Sequence, residues 1–222
     1  MSPRDGALRA VHPHCGFFGG ALATQVYAGG PVSGGVYNPA VALAAVAQGI
    51  LEPAKAGLYV AAQLVGALKA GCVYAYVLNG HKVSEEKGYF ASLYGGDEGV
   101  GEIGHPAAGD GVAFTTALLA EIIGTCLLVY TVLSVATVDD TKDNDYFGIA
   151  IGFAVVVAAA TVGGVSGGAF NPAVSMLSVV AGKSATIAVY WLGPALGAVL
   201  GLAIFKAAYK GESKKKSKRK TR

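Results

Sequence analysis

Residues 30–49 and 163–182 are two copies of one segment, and no other feature limits the fold so severely. The first reads GPVSGGVYNPAVALAAVAQG and the second GGVSGGAFNPAVSMLSVVAG, with eleven of twenty positions identical at an offset of 133. Each copy passes from a glycine pair into Asn-Pro-Ala and then into an apolar run that ends at a glycine. A lone Asn-Pro-Ala reads as a helix start, with asparagine as the cap and proline at the first helical position. Here both copies lie inside long apolar sequence, and the runs that follow, about 39–49 and 172–182, are too short to cross a bilayer. Each is expected to be a re-entrant half-helix, which survives in a membrane only where protein or a water-lined cavity shelters its broken backbone. Paired interrupted helices in two repeats point to a binding or conduction site at the midplane.

The rest of the chain agrees with a membrane setting. Apolar residues make up 53% and charged residues only 14%, where soluble chains are about one quarter charged. Residues 15–51, 70–80, 122–138, 146–182 and 184–205 carry no charge at all. Spans are therefore expected near 10–29, 56–79, 112–138, 147–163 and 185–208, five in all. The domain reading is a short N-terminal segment 1–9, a membrane domain 10–208 and a polybasic tail 209–222. Within the membrane domain the first repeat is 10–79 and the second 112–208. The loop from Gly80 to Gly111 is long and acidic and reads as exposed. Lys210–Arg222 holds eight of the seventeen basic residues, so the excess of positive charge describes a tail and not a nucleic-acid-binding face. That tail is expected in the cytosol by the positive-inside rule. Cys15, Cys72 and Cys126 have no metal-binding spacing, and no catalytic or phosphate-loop pattern is present. No cofactor and no enzyme activity are expected.

Asn38-Pro39-Ala40 and Asn171-Pro172-Ala173 resemble the paired motifs of the major intrinsic protein family, the aquaporins and glycerol channels. Ala62–Ala67 (AQLVGA), Ala120–Thr125 (AEIIGT) and Trp191–Pro194 (WLGP) extend the resemblance to about residues 14–208. It implies an all-α membrane protein, a helical bundle in which two half-helices meet at the centre, with four channels commonly forming a homotetramer. Relatives have six spans and this chain reads as five, because only Met1 to about Ala10 stands where the first family helix would be. The expectation is either a chain cut short at its start or a short form whose channel lacks one wall. The helix in question normally carries a buried glutamate that braces the first pore loop, and Glu121 is expected to brace the second, at 163–170.

The physics of the paired motif can be argued from the residues. Two helix N-termini facing each other make a local positive potential that opposes cations, and asparagine carboxamides can donate hydrogen bonds to a passing oxygen. Gly34-Gly35 and Gly167-Gly168 allow the tight loop that precedes each asparagine. A second constriction, carried over from the resemblance by spacing from the asparagines, falls at Phe18, Ala159, Gly168 and Val174. Water-selective relatives have histidine where Ala159 stands, and nearly all have arginine where Val174 stands, so the opening is expected to be wider and more apolar. Lys69 lies inside the 56–79 span, either snorkelling along its helix or bordering the gap left by the absent one. Two functions remain open: a passive channel for water and small neutral solutes such as glycerol, urea or ammonia, or a non-conducting truncated paralogue that assembles with or regulates full-length channels. A multi-pass protein of the plasma membrane or a vacuolar-type membrane is expected.

Overall fold

Helices follow the apolar runs, and the left-handed glycine pairs Gly34-Gly35 and Gly167-Gly168 mark two of their ends. The computed structural model describes residues 3–80, 106–182 and 187–210. In chain order its helices are α1 (Pro3–Ser33), α2 (Pro39–Ala47), α3 (Pro53–Gly80), α4 (Phe114–Thr137), α5 (Phe147–Ser166), α6 (Met176–Val180) and α7 (Ile187–Ala208). Four have the length and apolar composition of membrane spans: α3 over Pro53–Tyr74, α4, α5 and α7. The fifth long helix, α1, is 31 residues, about 46 Å at 1.5 Å per residue, and is less apolar. The chain folds as an all-helical membrane bundle.

Two boundaries differ from the sequence reading. The first span, expected near 10–29, belongs to a helix that already begins at Pro3, so residues 3–9 continue α1 and do not stand apart. Pro3 opens the helix, where proline is tolerated in the first turn. The second half-helix, expected over 172–182, is only the five residues Met176–Val180. Residues 172–175 form tighter turns with bonds such as Val174 N–H to the Asn171 carbonyl at 3.1 Å, and the Ser175 hydroxyl bonds back to the Pro172 carbonyl at 2.6 Å. Most of the 80–111 loop and all but the first two residues of the tail lie outside the described residues.

The repeat governs the packing. Gly19 of α1 and Gly152 of α5 are 133 residues apart, and a side chain on either would meet the other's carbonyl oxygen at 2.4 Å. The two helices therefore cross in backbone contact, as small residues permit in membranes. On the other side of the bundle, Gly193, Gly197 and Gly201 line one face of α7. A methyl group on any of them would strike α4, at Glu121 Cβ (2.5 Å), the Ile122 carbonyl (2.6 Å) or the Cys126 carbonyl (2.7 Å). The first half-helix, α2, is seated by this pair: Ala40 and Ala44 bury against Val129 and Leu133 of α4 and Ala198, Leu202 and Phe205 of α7. The second half-helix meets α3, where Gly71 lies against Leu177 and Val180.

Candidate functional site

The chain reverses direction before each asparagine through two consecutive glycines in the left-handed region: Gly34 (φ 79°) and Gly35 (φ 65°), then Gly167 (φ 88°) and Gly168 (φ 64°). At Gly167 there is no room for any other residue, since a Cβ would lie 2.4 Å from the Ala107 nitrogen. The loops deliver the two asparagines to one place. Asn38 is buried and caps α2, its Oδ1 accepting from the Ala40 N–H at 2.8 Å. Asn171 does the same for its own turn, accepting from the Ala173 N–H at 2.9 Å. Both ends are therefore capped by their own asparagines.

The carboxamide nitrogens tie the loops together. Asn38 Nδ2 donates to the Phe170 carbonyl at 2.8 Å, and Asn171 Nδ2 donates to the Tyr37 carbonyl at 3.1 Å. Each asparagine thus grips the residue that precedes the other. Each carboxamide has two N–H groups, so one per asparagine is left for a passing oxygen.

Phe170 is the one non-glycine residue with positive φ (47°) among those described. That conformation costs an ordinary residue about 1–2 kcal/mol, and three contacts hold it. Its N–H donates to Glu121 Oε2 at 2.6 Å, its carbonyl accepts from Asn38, and its ring lies over Gly124, where a Cβ would be 2.1 Å away. Glu121 is fully buried. Its Oε1 accepts from the Ser166 hydroxyl at 2.7 Å and from the Ala169 N–H at 3.0 Å. The loop is fixed a second time by Tyr190, whose hydroxyl donates to the Ser166 carbonyl at 2.6 Å. Sequence reasoning missed Ser166 and Tyr190. Ser166 was legible as part of the repeated Val-Ser-Gly-Gly, whereas nothing local marks Tyr190.

A cavity of about 570 Å³ runs past both asparagines. Of the four positions expected at a constriction, Phe18, Gly168 and Val174 line it. Ala159 is buried in a cluster with Cys15, Ala158 and Phe170. The lining is otherwise apolar, and Lys142, paired with Asp139 at 3.2 Å, is its only charged side chain among the described residues.

With this geometry in view, comparison with known proteins is decisive. The family model "Major intrinsic protein" matches residues 9–205. The chain belongs to the major intrinsic protein family. Its relatives include Aquaporin AqpM of Methanothermobacter thermautotrophicus, 31% identical over 82% of this chain and 70% of the relative. AqpM of Methanothermobacter marburgensis is 30% identical over 70% of the chain. A probable aquaporin PIP2-7 of Oryza sativa subsp. japonica is 34% identical over 82% of it. The chain spans only 57% and 60% of the length of these last two relatives. The family fold is also that of the aquaglyceroporin from Plasmodium falciparum, with a TM-score of 0.70 at 19% identity, covering 90% of this chain and 87% of that one. Membership and the apolar helices together make this an integral membrane protein of a channel family.

Proposed function

We propose that the chain is a passive channel for water that also admits small neutral solutes such as glycerol, urea or ammonia. The observation that carries this reading is the pair of asparagines, each locked by the opposite loop with one carboxamide N–H to spare, beside a cavity of about 570 Å³. A neutral solute can exchange hydrogen bonds with such donors in file, while a cation meets donors only and forfeits its hydration shell. Pro39, Ala40, Pro172 and Ala173 set the chain direction that makes the asparagines caps, and Glu121 braces the second loop. No covalent chemistry is involved. The working form is a homotetramer in a plasma or vacuolar-type membrane, its tail cytosolic. Purified protein in liposomes should raise osmotic water permeability with a low activation energy.

Selectivity is assigned to the four positions Phe18, Ala159, Gly168 and Val174, of which Phe18, Gly168 and Val174 line the cavity. Val174 brings neither charge nor donor, so size discrimination is weak. Val174→Arg should place a planar, permanently charged group in the opening. We expect glycerol passage relative to water to fall about tenfold, the effect of about 1.4 kcal/mol of added barrier. An unchanged ratio would mean that Val174 does not face the solute.

A second reading, a non-conducting subunit that joins full-length channels, has one observation in its favour: α3 has only 11% of its span buried, against 44% for α7. Permeability equal to that of empty liposomes, from folded and inserted protein, would select it.

A further inference from the structure

The loop between α4 and α5 reads as acidic, with Asp139, Asp140, Asp143 and Asp145 against one lysine. The fold reverses that sign at the cavity. None of the four carboxylates lines the space that runs past the asparagines, whereas Lys142 does. All four aspartates are exposed, and in water at physiological salt a charge is screened over about 8 Å. The ammonium is the charge that a solute meets.

Its place along the path follows from the helices. α1 and α5 run antiparallel, with Gly19 lying against Gly152 and Val156, and Gly30 against Phe147. Along α1 the cavity wall passes from Phe18 through Leu22 and Val26 to Gly30, about 18 Å of helix at 1.5 Å per residue. Lys142 comes just before Phe147 in the chain, so it marks the end opposite Phe18. The loop keeps it there. The Lys142 N–H donates to the Val138 carbonyl at 2.8 Å, the Asn144 carboxamide to the Val135 carbonyl at 2.7 Å, and the Tyr27 hydroxyl to the Asp145 carbonyl at 2.9 Å. The ammonium pairs with Asp139 at 3.2 Å, but the two side chains are 47% and 46% exposed, and such pairs hold weakly. Beyond this mouth no carboxylate among the described residues lines the path. A solute there meets the spare carboxamide N–H groups and the positive end of α2.

We propose that Lys142 is a specificity-determining residue of the path: it draws small monovalent anions such as chloride or nitrate to this mouth and turns cations away, with Asp139 setting how strongly. Neutral solutes remain the main traffic, because the apolar walls at Leu128, Val132 and Ile151 replace no ion's hydration shell. Lys142 decides which sign of ion leaks. The proposal rests on the channel reading.

The test uses the full chain in bilayers of uncharged phosphatidylcholine under a KCl gradient, and reads the chloride-to-potassium permeability ratio from the zero-current potential. The wild type should favour chloride. Lys142→Glu should lower the ratio about tenfold or more and turn the preference to potassium, since a mouth of one sign alters local ion concentrations by about 10–10³. Asp139→Asn should raise the ratio about threefold, a smaller effect because the aspartate lies outside the lining. Both effects should shrink as salt rises from about 0.01 M to about 1 M, where the screening length falls from about 30 Å to about 3 Å. Lys55→Glu, at an exposed lysine of α3 that lines neither cavity, should leave the ratio unchanged. Osmotic water flux through the same protein separates this assignment from the channel reading. Water flux accompanied by a ratio that Lys142→Glu does not move, by a shift that salt does not weaken, or by no ion leak in any variant overturns the assignment alone. No water flux from folded, inserted protein sinks the channel reading and this assignment with it.

Discussion

Glu121→Leu should be the most destabilising single substitution in the described bundle. The leucine fills similar space but accepts nothing, and the Ser166 hydroxyl and the N–H groups of Ala169 and Phe170 lose their acceptor together. A buried donor left bare costs about 1–3 kcal/mol, so with some relaxation shared among the three the loss should be about 3–5 kcal/mol. Protein stabilities run to only about 5–15 kcal/mol, which makes that a large fraction. The site fails with the fold, because Phe170 is kept at φ 47° chiefly by its bond to Glu121 and its carbonyl positions Asn38. Glu121→Gln should fall between, since one oxygen still accepts while the amide N–H groups confront donors. Denaturant unfolding in detergent, paired with osmotic flux in liposomes, reads both effects. A Glu121→Leu protein that unfolds with the wild type would show that the carboxylate does not hold the loop.

How much of this was visible in the sequence follows from which interactions are local. The doubled Asn-Pro-Ala, the glycine pairs and the charge-free runs are contiguous, and from them come the two capped turns, the long helices and the channel family. Glu121 stood out because a carboxylate inside an apolar span demands partners. What escaped depends on neighbours distant in sequence. Both half-helices read alike, yet α2 reaches nine residues and α6 only five. The first is wedged between α4 and α7, whereas the second meets α3 at Gly71 and borders an open cavity at Leu177. The cross-loop bonds, from residue 38 to 170 and from 171 to 37, were equally hidden. The sequence suggested that the carboxamides were free for solute, but half of their donors hold the loops together. Ala159 was placed by spacing beside the constriction, and its neighbours Cys15, Ala158 and Phe170 come from three separate segments that spacing does not reveal.

Asn171→Leu should then abolish most of the flux while leaving the bundle folded. The substitution removes the cap on Ala173, worth about 1 kcal/mol, and the bond to the Tyr37 carbonyl, and it puts a branched apolar group into the cavity wall. A solute there loses a donor it needs to replace part of its hydration, and the opening narrows. Water permeability should drop about a hundredfold, which corresponds to about 2.7 kcal/mol of added barrier. Asn171→Asp separates the two contributions. It keeps the capping oxygen but cannot donate to Tyr37 and adds a negative charge, so it should retain more water flux than the leucine and leak cations. Since each asparagine holds the residue before the other, Asn38→Ala and Asn171→Ala should not act independently on stability. Their coupling should exceed about 0.5 kcal/mol in a double-mutant cycle, above the scatter expected of unconnected sites. Additive effects would mean that the two loops are positioned separately, and full flux through Asn171→Leu would place the conduction path elsewhere in the bundle.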